Sequence, residues 1–444
     1  MTCRNGVLIG TLGVLATAAT LSAVGAEDWP EFLGEGRKGS TAGESVAASF
    51  PKSGPKTLWT TDTGPGFGGA AIVKGKVYLF DREDDARDVL RCLALDSGKE
   101  LWRQAYEAPG RLSYNGSRHV PTVTGDSIVT CGPFGHLTAR ALKDGKLRWQ
   151  NDLCKDFGAR PPKWGYASSP LVTAGPKGPI VIAAPMARKA GLVAYDLQSG
   201  ELVWKTGFIG DESYVSPALY EVCGETQVLF FARGSRHPEK GLVTALEPKT
   251  GKVRWQWDKY YNRIPIPPLT ALGEDRFFLT GGYDGGSVIF KVTKSGDSFT
   301  VKEQHRWDRD GSQIHQAVLI DGKLYANFNR NENLRGRNRA PNLVCLDPAT
   351  GKTLWSTDDG PELDRGPILA IGKRILALGG ETGILHMIKA DPKGFKELGR
   401  AKVFPSLRRR KNMIWAPLAL ADGRLVVRSQ RQAVCLDLRG ANGK

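Results

Sequence analysis

Two histidines, His119 and His315, each stand two residues ahead of a residue that opens a short apolar run, Pro121 and Ala317. An imidazole at such a repeated place could act as a general base or a ligand, although most histidines in that setting are hydrogen-bonded structural residues. Cations and flat rings occupy neighbouring places: Arg118 beside His119, Trp164 and Tyr166 ahead of Pro170, Arg365 ahead of Pro367, and Trp415 ahead of Pro417. Guanidinium groups and aromatic faces hold carboxylates and planar ligands. Arg118, His119, Trp164, Tyr166, His315, Arg365 and Trp415 are therefore the candidate ligand residues. No catalytic residue and no metal ligand is assigned. The six histidines (119, 136, 237, 305, 315 and 386) lack metal-ligand spacing, and there is no HExxH, P-loop, GxSxG or CxxCH. Gly64-Pro65-Gly66-Phe67-Gly68-Gly69 matches GxGxxG, but AAIVKGKVYLF follows it, a strand and not the helix a dinucleotide site requires. It reads as a linker.

The elements that must position these residues are repeats. Leu343 to Trp355, LVCLDPATGKTLW, has alternating apolar residues, a turn of Asp, Pro and Gly, and a second strand ending in Trp. The hairpin recurs with its Gly four residues before Trp102, Trp149, Trp204, Trp255 and Trp355. A looser copy ends at Trp307, and a further one places Phe404 where the Trp is expected. Successive steps from Trp102 to Phe404 are 47 to 55 residues, a period that means stacked units burying one another's faces. The C-terminal LVVRSQRQAVCLDL lacks a closing Trp strand, and the N-terminal KTLWTTD, ending its apolar part at Trp59, lacks a hairpin. Each is the half the other lacks. The fold expected is all-β: an eight-bladed β-propeller of four-stranded blades over residues 57–440, its ring closed by the N-terminal strand completing the last blade. Ala70, Pro121, Pro170, Pro217, Pro268, Ala317, Pro367 and Pro417 open the innermost strands, so the candidates just ahead of them should line the channel mouth.

Residues 1–26 have one Arg, an apolar stretch and Val24-Gly25-Ala26 before Glu27, the pattern of a secretory signal peptide. A periplasmic or secreted protein with no transmembrane span after cleavage follows as the expectation. Residues 27–56 read as an extended arm outside the repeat, pinned by Trp29 and Phe32, and residues 441–444 as a tail. Asp81 to Asp88 and Arg330 to Asn342 break the period and should project from the ring. Arg408 to Lys411 adds another basic run. With 62 Lys and Arg against 46 Asp and Glu, the net charge of +16 favours polyanions, and export argues against nucleic acid. Scattered cysteines, two of them inside buried strands at Cys345 and Cys435, read as small core residues, and a Cys131–Cys154 pairing stays open.

The repeat A/C-L-D-x-x-T/S-G-K-x-x-W resembles the pyrroloquinoline quinone (PQQ) type propeller repeat. Quinoprotein alcohol dehydrogenases and the outer-membrane β-barrel assembly lipoprotein share it. DWPEFLGEGRKG and FGARPPKWGYASSPLV are further similar to a group of exported bacterial proteins with PQQ-like repeats. The resemblance implies that Trp59, Trp102, Trp149, Trp204, Trp255, Trp307 and Trp355 dock against the next blade. For the dehydrogenases it implies PQQ on the axis, calcium held by carboxylate and amide oxygens, an Asp base and, in the methanol type, adjacent cysteines. This chain has no Cys-Cys pair and no carboxylates at the expected places, only Asp364 adjoining one. The reading is therefore a monomeric, non-catalytic envelope propeller that binds a protein or anionic polymer, with no cofactor expected. The alternative is a PQQ- and calcium-dependent oxidoreductase of an alcohol or sugar, with Trp415 or Trp164 against the quinone, Arg118 and Arg365 on its carboxylates, and His119 or His315 as base.

Overall fold

The structure, a computed structural model, describes residues 28–440 except 44, 237–238, 284, 330–341, 359, 406 and 408–412. The signal segment, the Arg330–Pro341 basic run, Arg408–Lys411, His237 and the tail lie outside the described residues. Strands form eight sheets arranged as successive blades. Blade 1 runs Ala71–Val73, Lys76–Glu83, Arg87–Ala94 and Glu100–Glu107, from the channel outward. Its middle strands are almost wholly buried because neighbouring blades cover both faces, and their apolar stretches Val77–Phe80 and Val89–Leu90 are not interrupted by polar residues. The outermost strand alternates exposed and half-buried residues, as one with solvent on one side must.

The ring closes as the sequence implies. Lys56–Asp62 pairs antiparallel with Gln432–Asp437, placing Trp59 opposite Cys435 and completing blade 8 with strands taken from both ends of the chain.

In every blade the third and fourth strands slip register at one point, and in six of the eight a Trp of the fourth strand sits directly beside the slip, for example Trp102 opposite Cys92, Trp149 opposite Ala139 and Trp204 opposite Ala194. A bulge there turns the ring toward the following blade. The Trp59 indole donates to Leu95 O at 2.6 Å, Trp149 to Leu197 O at 2.8 Å, and Trp204 to Pro248 O at 3.1 Å, each across a blade junction. Trp355 does the same to Asp391 O at 2.8 Å. Trp255 instead donates to Gln227 Oε1 within its own blade, at 2.9 Å. In blade 5 the equivalent place opposite Ile289 belongs to His305, and Trp307 stands opposite Ser287, packed on a core cluster shared with blade 6. The longer Thr293–Thr300 hairpin shifts the spacing on which a count along the chain relies. Blade 7 likewise has Gly399, not Phe404, at this register, and Phe50 packs over it from the N-terminal segment.

That segment corrects a second expectation. The arm does not stand apart from the repeats; it packs against their innermost strands. Trp29 exchanges backbone hydrogen bonds with Ile72 of blade 1, at 2.7 and 2.8 Å, and Pro30 O accepts from Val123 N of blade 2. Buried Arg37 donates to Ser169 O, Pro170 O and Pro217 O of blades 3 and 4 at 3.0, 2.5 and 2.6 Å, and pairs with Glu31 at 2.7 Å. Gln316 of blade 6 donates to Arg37 O, and Ser40–Thr41 then adds a parallel fifth strand to blade 7. The inner strands of a propeller present unpaired backbone groups to the axis, and a peptide with its own backbone groups satisfies them.

Asp81–Asp88 is the extended end of a hairpin of two paired strands: its tip at Asp84 is exposed, but Asp81, Arg82 and Asp88 are fully buried. Arg82 pairs with Asp88 at 2.5 Å and Arg91 with Asp81 at 2.9 Å, so the charges that suggested a solvated loop neutralise one another inside the blade. All six described cysteines are free thiols, Cys131 and Cys154 included.

Candidate functional site

The strand openers Pro170 and Pro217 accept from Arg37, and the segments ahead of them are tied around the ring. Val120 N donates to Ser169 Oγ at 3.2 Å, and Ser169 N to Ser216 Oγ at 2.9 Å. The residues just before these ties are thereby fixed at the mouth. The glycine-rich linker makes one side of the rim. Gly64 O, Gly68 O and Phe80 O accept from the buried Arg428 guanidinium at 3.2, 3.0 and 2.8 Å. A β-carbon at Gly66 would overlap that guanidinium, which accounts for the Gly there. Gly64–Gly69 is thus a linker packed on an arginine, with a strand after it.

Above the arm lies a pocket of about 130 Å³ on the axis. Phe32 of the arm is part of its lining, together with residues from all eight blades. Trp415 stacks on Phe67 with centroids 5.0 Å apart, Tyr114 leans on Trp415 at 5.5 Å, and Trp164 on Tyr214 at 5.4 Å. Arg118 lies over Phe67 at 5.2 Å and Arg365 over Trp415 at 5.0 Å. Arg118 also donates to Gly116 O at 2.7 Å and to Tyr114 O, which folds its side chain back along the rim.

Of the predicted residues, Arg118, Trp164, His315, Arg365 and Trp415 line this pocket. His119 and Tyr166 do not. His119 is wholly buried behind the rim, and the Tyr166 hydroxyl donates to Pro185 O at 3.0 Å. Phe67, Tyr114, Tyr214, Tyr283 and Gln313 line the pocket and were not among the predicted ligands. A signal for some of them existed: Phe67, Arg118, Tyr214 and Ile314 all stand three residues ahead of an opener, a place that faces the axis as the next one does. Tyr114 and Tyr283 arrive on loops of irregular length, beyond the reach of the repeat's spacing.

Electrostatically the mouth is cationic. Burial lowers Arg118 to about 10, and no carboxylate among the described residues forms an ion pair with it. Burial also lowers His315 to about 3, so its imidazole is neutral over the ordinary pH range. The pocket lining contains no Asp or Glu, and no group of three or more His, Cys, Asp or Glu among the described residues could hold a metal. Calcium requires several oxygen ligands, and this donor set does not fit it. The Trp415 ring already has two close neighbours, Phe67 and Arg365.

Eight four-stranded blades around an axis, with an N-terminal arm packed on their inner strands and an aromatic, cationic mouth, define a β-propeller with a pocket on its axis. The chain belongs to the family described as outer membrane protein assembly factor BamB, which matches it over residues 42–208 and 85–357. It is 25% identical over 297 residues to the outer membrane protein assembly factor BamB of Yersinia pestis, covering 61% of this chain and 66% of that one. It is 27% identical over 210 residues to the dehydrogenase subunit of the quinone alcohol dehydrogenase of Komagataeibacter europaeus, 46% of this chain. The chain spans only 28% of that relative's length. Among solved structures, BamB from Moraxella catarrhalis aligns with a TM-score of 0.56 at 14% identity, over 86% of this chain and 97% of the other. Quinohemoprotein alcohol dehydrogenase from Comamonas testosteroni aligns at 0.62 and 15% identity, over 94% and 81%. At these identities the two structures share the fold.

Proposed function

We propose that this protein is a non-catalytic propeller of the bacterial cell envelope, periplasmic or secreted, that binds an anionic partner at its channel mouth. The observation that carries this reading is the mouth itself: Arg118 and Arg365 among aromatic rings, in a pocket whose lining has no carboxylate. A net charge of +16 adds a long-range attraction to polyanions. Membership of the BamB family supports a scaffolding role, with an envelope protein or an anionic polymer as partner. No helix among the described residues is long and apolar enough to cross a membrane.

A second reading, a PQQ-dependent oxidoreductase, draws on the dehydrogenase relatives and on Trp164, Trp415 and the two arginines. Its proposed bases fare poorly. His119 is enclosed, and an imidazole held near 3 is too weak a base for neutral pH, where a general base works best with a pKa close to the operating pH. Titration of the purified protein with PQQ, with and without calcium, separates the two. The binding reading expects no calcium-dependent uptake of the quinone and expects retention on an anionic polysaccharide that weakens as salt is raised. Calcium-dependent binding of one quinone per chain, followed by dye-linked oxidation of an alcohol or sugar, would reverse the assignment.

A further inference from the structure

We infer that the axial pocket takes a single six-membered ring that carries both a carboxylate and hydroxyl groups, a hexuronic acid residue at the end of an anionic glycan. This deepens the binding reading and rests on it. Size comes first. The pocket holds about 130 Å³, a little less than an apolar cavity of about 150 Å³ that accommodates benzene, so it encloses at most one ring, with part of that ring's substituents and any continuing chain left at the open mouth. Phe32 of the arm adds a further aromatic ring to the lining.

Charge comes second. Arg118 is a half-buried cation that donates to two backbone carbonyls, and no carboxylate among the described residues forms an ion pair with it. A carboxylate brought to the rim would supply the missing counter-charge with a charge-assisted hydrogen bond.

Polar groups then choose between kinds of acid. His315 Nε2 is buried without a hydrogen-bond partner among the described residues, and Gln313 and Ser216 are buried in the same lining. A wholly aromatic acid would satisfy the rings and the cation but leave His315 unpaired. A hydroxylated ring pairs it, while its C–H face lies on an aromatic side chain such as the exposed Tyr114.

The test is calorimetric titration of the purified protein with galacturonic acid, galactose and benzoate, with salt-dependent binding of polygalacturonate measured alongside. Galacturonic acid is expected to bind at least about tenfold more tightly than galactose, the ratio one charge-assisted bond supplies, and more tightly than benzoate. Arg118→Gln should abolish the preference for galacturonic acid over galactose. Tyr114→Ala, at an exposed rim position, should weaken both sugars together while the unfolding midpoint, measured alongside, shows the variant folded. Equal binding of acid and neutral sugar, tighter binding of benzoate, or an unchanged preference in Arg118→Gln overturns the inference. If the polymer binds in a salt-dependent way while the monosaccharide does not, the ring pocket is refuted and the polyanion-binding reading stands. If galacturonic acid binds but is oxidised with a dye acceptor, the pocket stands and the non-catalytic reading falls.

Discussion

His305 of blade 5 stands over Gly351 of blade 6, its Nδ1 2.5 Å from where a β-carbon would lie. At four other junctions a tryptophan takes this place: Trp59 over Gly98, Trp102 over Gly145, Trp149 over Gly200 and Trp204 over Gly251. Each of these glycines is left-handed, with φ between 68° and 74°, so the residue serves two needs, the turn and the close approach of a ring from the preceding blade. Gly98→Ala should therefore cost about 2–4 kcal/mol, strain and overpacking together. Gly75→Ala, at φ 69° with open space around it, should cost only about 1–2 kcal/mol. Chemical denaturation midpoints of the two variants make the comparison, and equal losses would mean that the ring contact is unimportant.

Arg37 is the pin that holds the arm on the innermost strands. Replacing it with Met leaves the carbonyls of Ser169, Pro170 and Pro217 without its donors. A loss on the order of 3–5 kcal/mol is expected, with faster proteolysis near Trp29 to Arg37. Limited proteolysis with mass spectrometry reads the second effect, and a cut rate equal to the parent's would show the arm to be held by its backbone pairing alone.

The Arg82–Asp88 pair has both side chains fully buried. Asp88→Ala leaves a guanidinium in the interior without its counter-charge and should destabilise by about 3–5 kcal/mol. Arg103→Ala, which removes an ion pair to Glu83 from a half-exposed side chain, should cost less than about 1 kcal/mol. Urea unfolding of both variants checks the contrast.

Burial lowers His119 and His315 to about 3, below the ordinary value of 6.5. The unfolded chain then binds more protons than the folded one between those values. Stability from keeping these imidazoles neutral is complete above pH 6.5 and drains away as pH falls toward 3. His119→Gln should flatten the fall between pH 6 and about 4 when unfolding free energy is followed against pH. An unaltered slope would place the acid sensitivity elsewhere.

Much of the ring was legible before any coordinates. The Gly-to-Trp spacing announced the blades, and the half-repeats at Trp59 and Leu425–Leu438 announced the closure, because a hairpin's turn and its docking residue are local in sequence. Where a hairpin lengthened, as before Trp307, counting along the chain failed, since the register is measured from the bulge and not from the turn. Charge was misleading for the same kind of reason. Asp81, Arg82 and Asp88 look solvated when read singly, and only the pairing of two strands brings each to its counter-ion.

The mouth was half legible. Arg118, Trp164, His315, Arg365 and Trp415 were reachable because the openers repeat, and repetition places equivalent residues around one axis. The sequence by itself determined the repeat, the blade count, the closing strand and the cationic, aromatic composition of the mouth, all consequences of short-range patterning. Only the tertiary structure decided that the arm packs on the innermost strands, that Phe32 joins the pocket lining, and that His119 is fully buried. Those outcomes depend on which unpaired backbone groups meet across the axis. Arg37 and Pro217 are 180 residues apart in the chain, and no local pattern encodes their meeting.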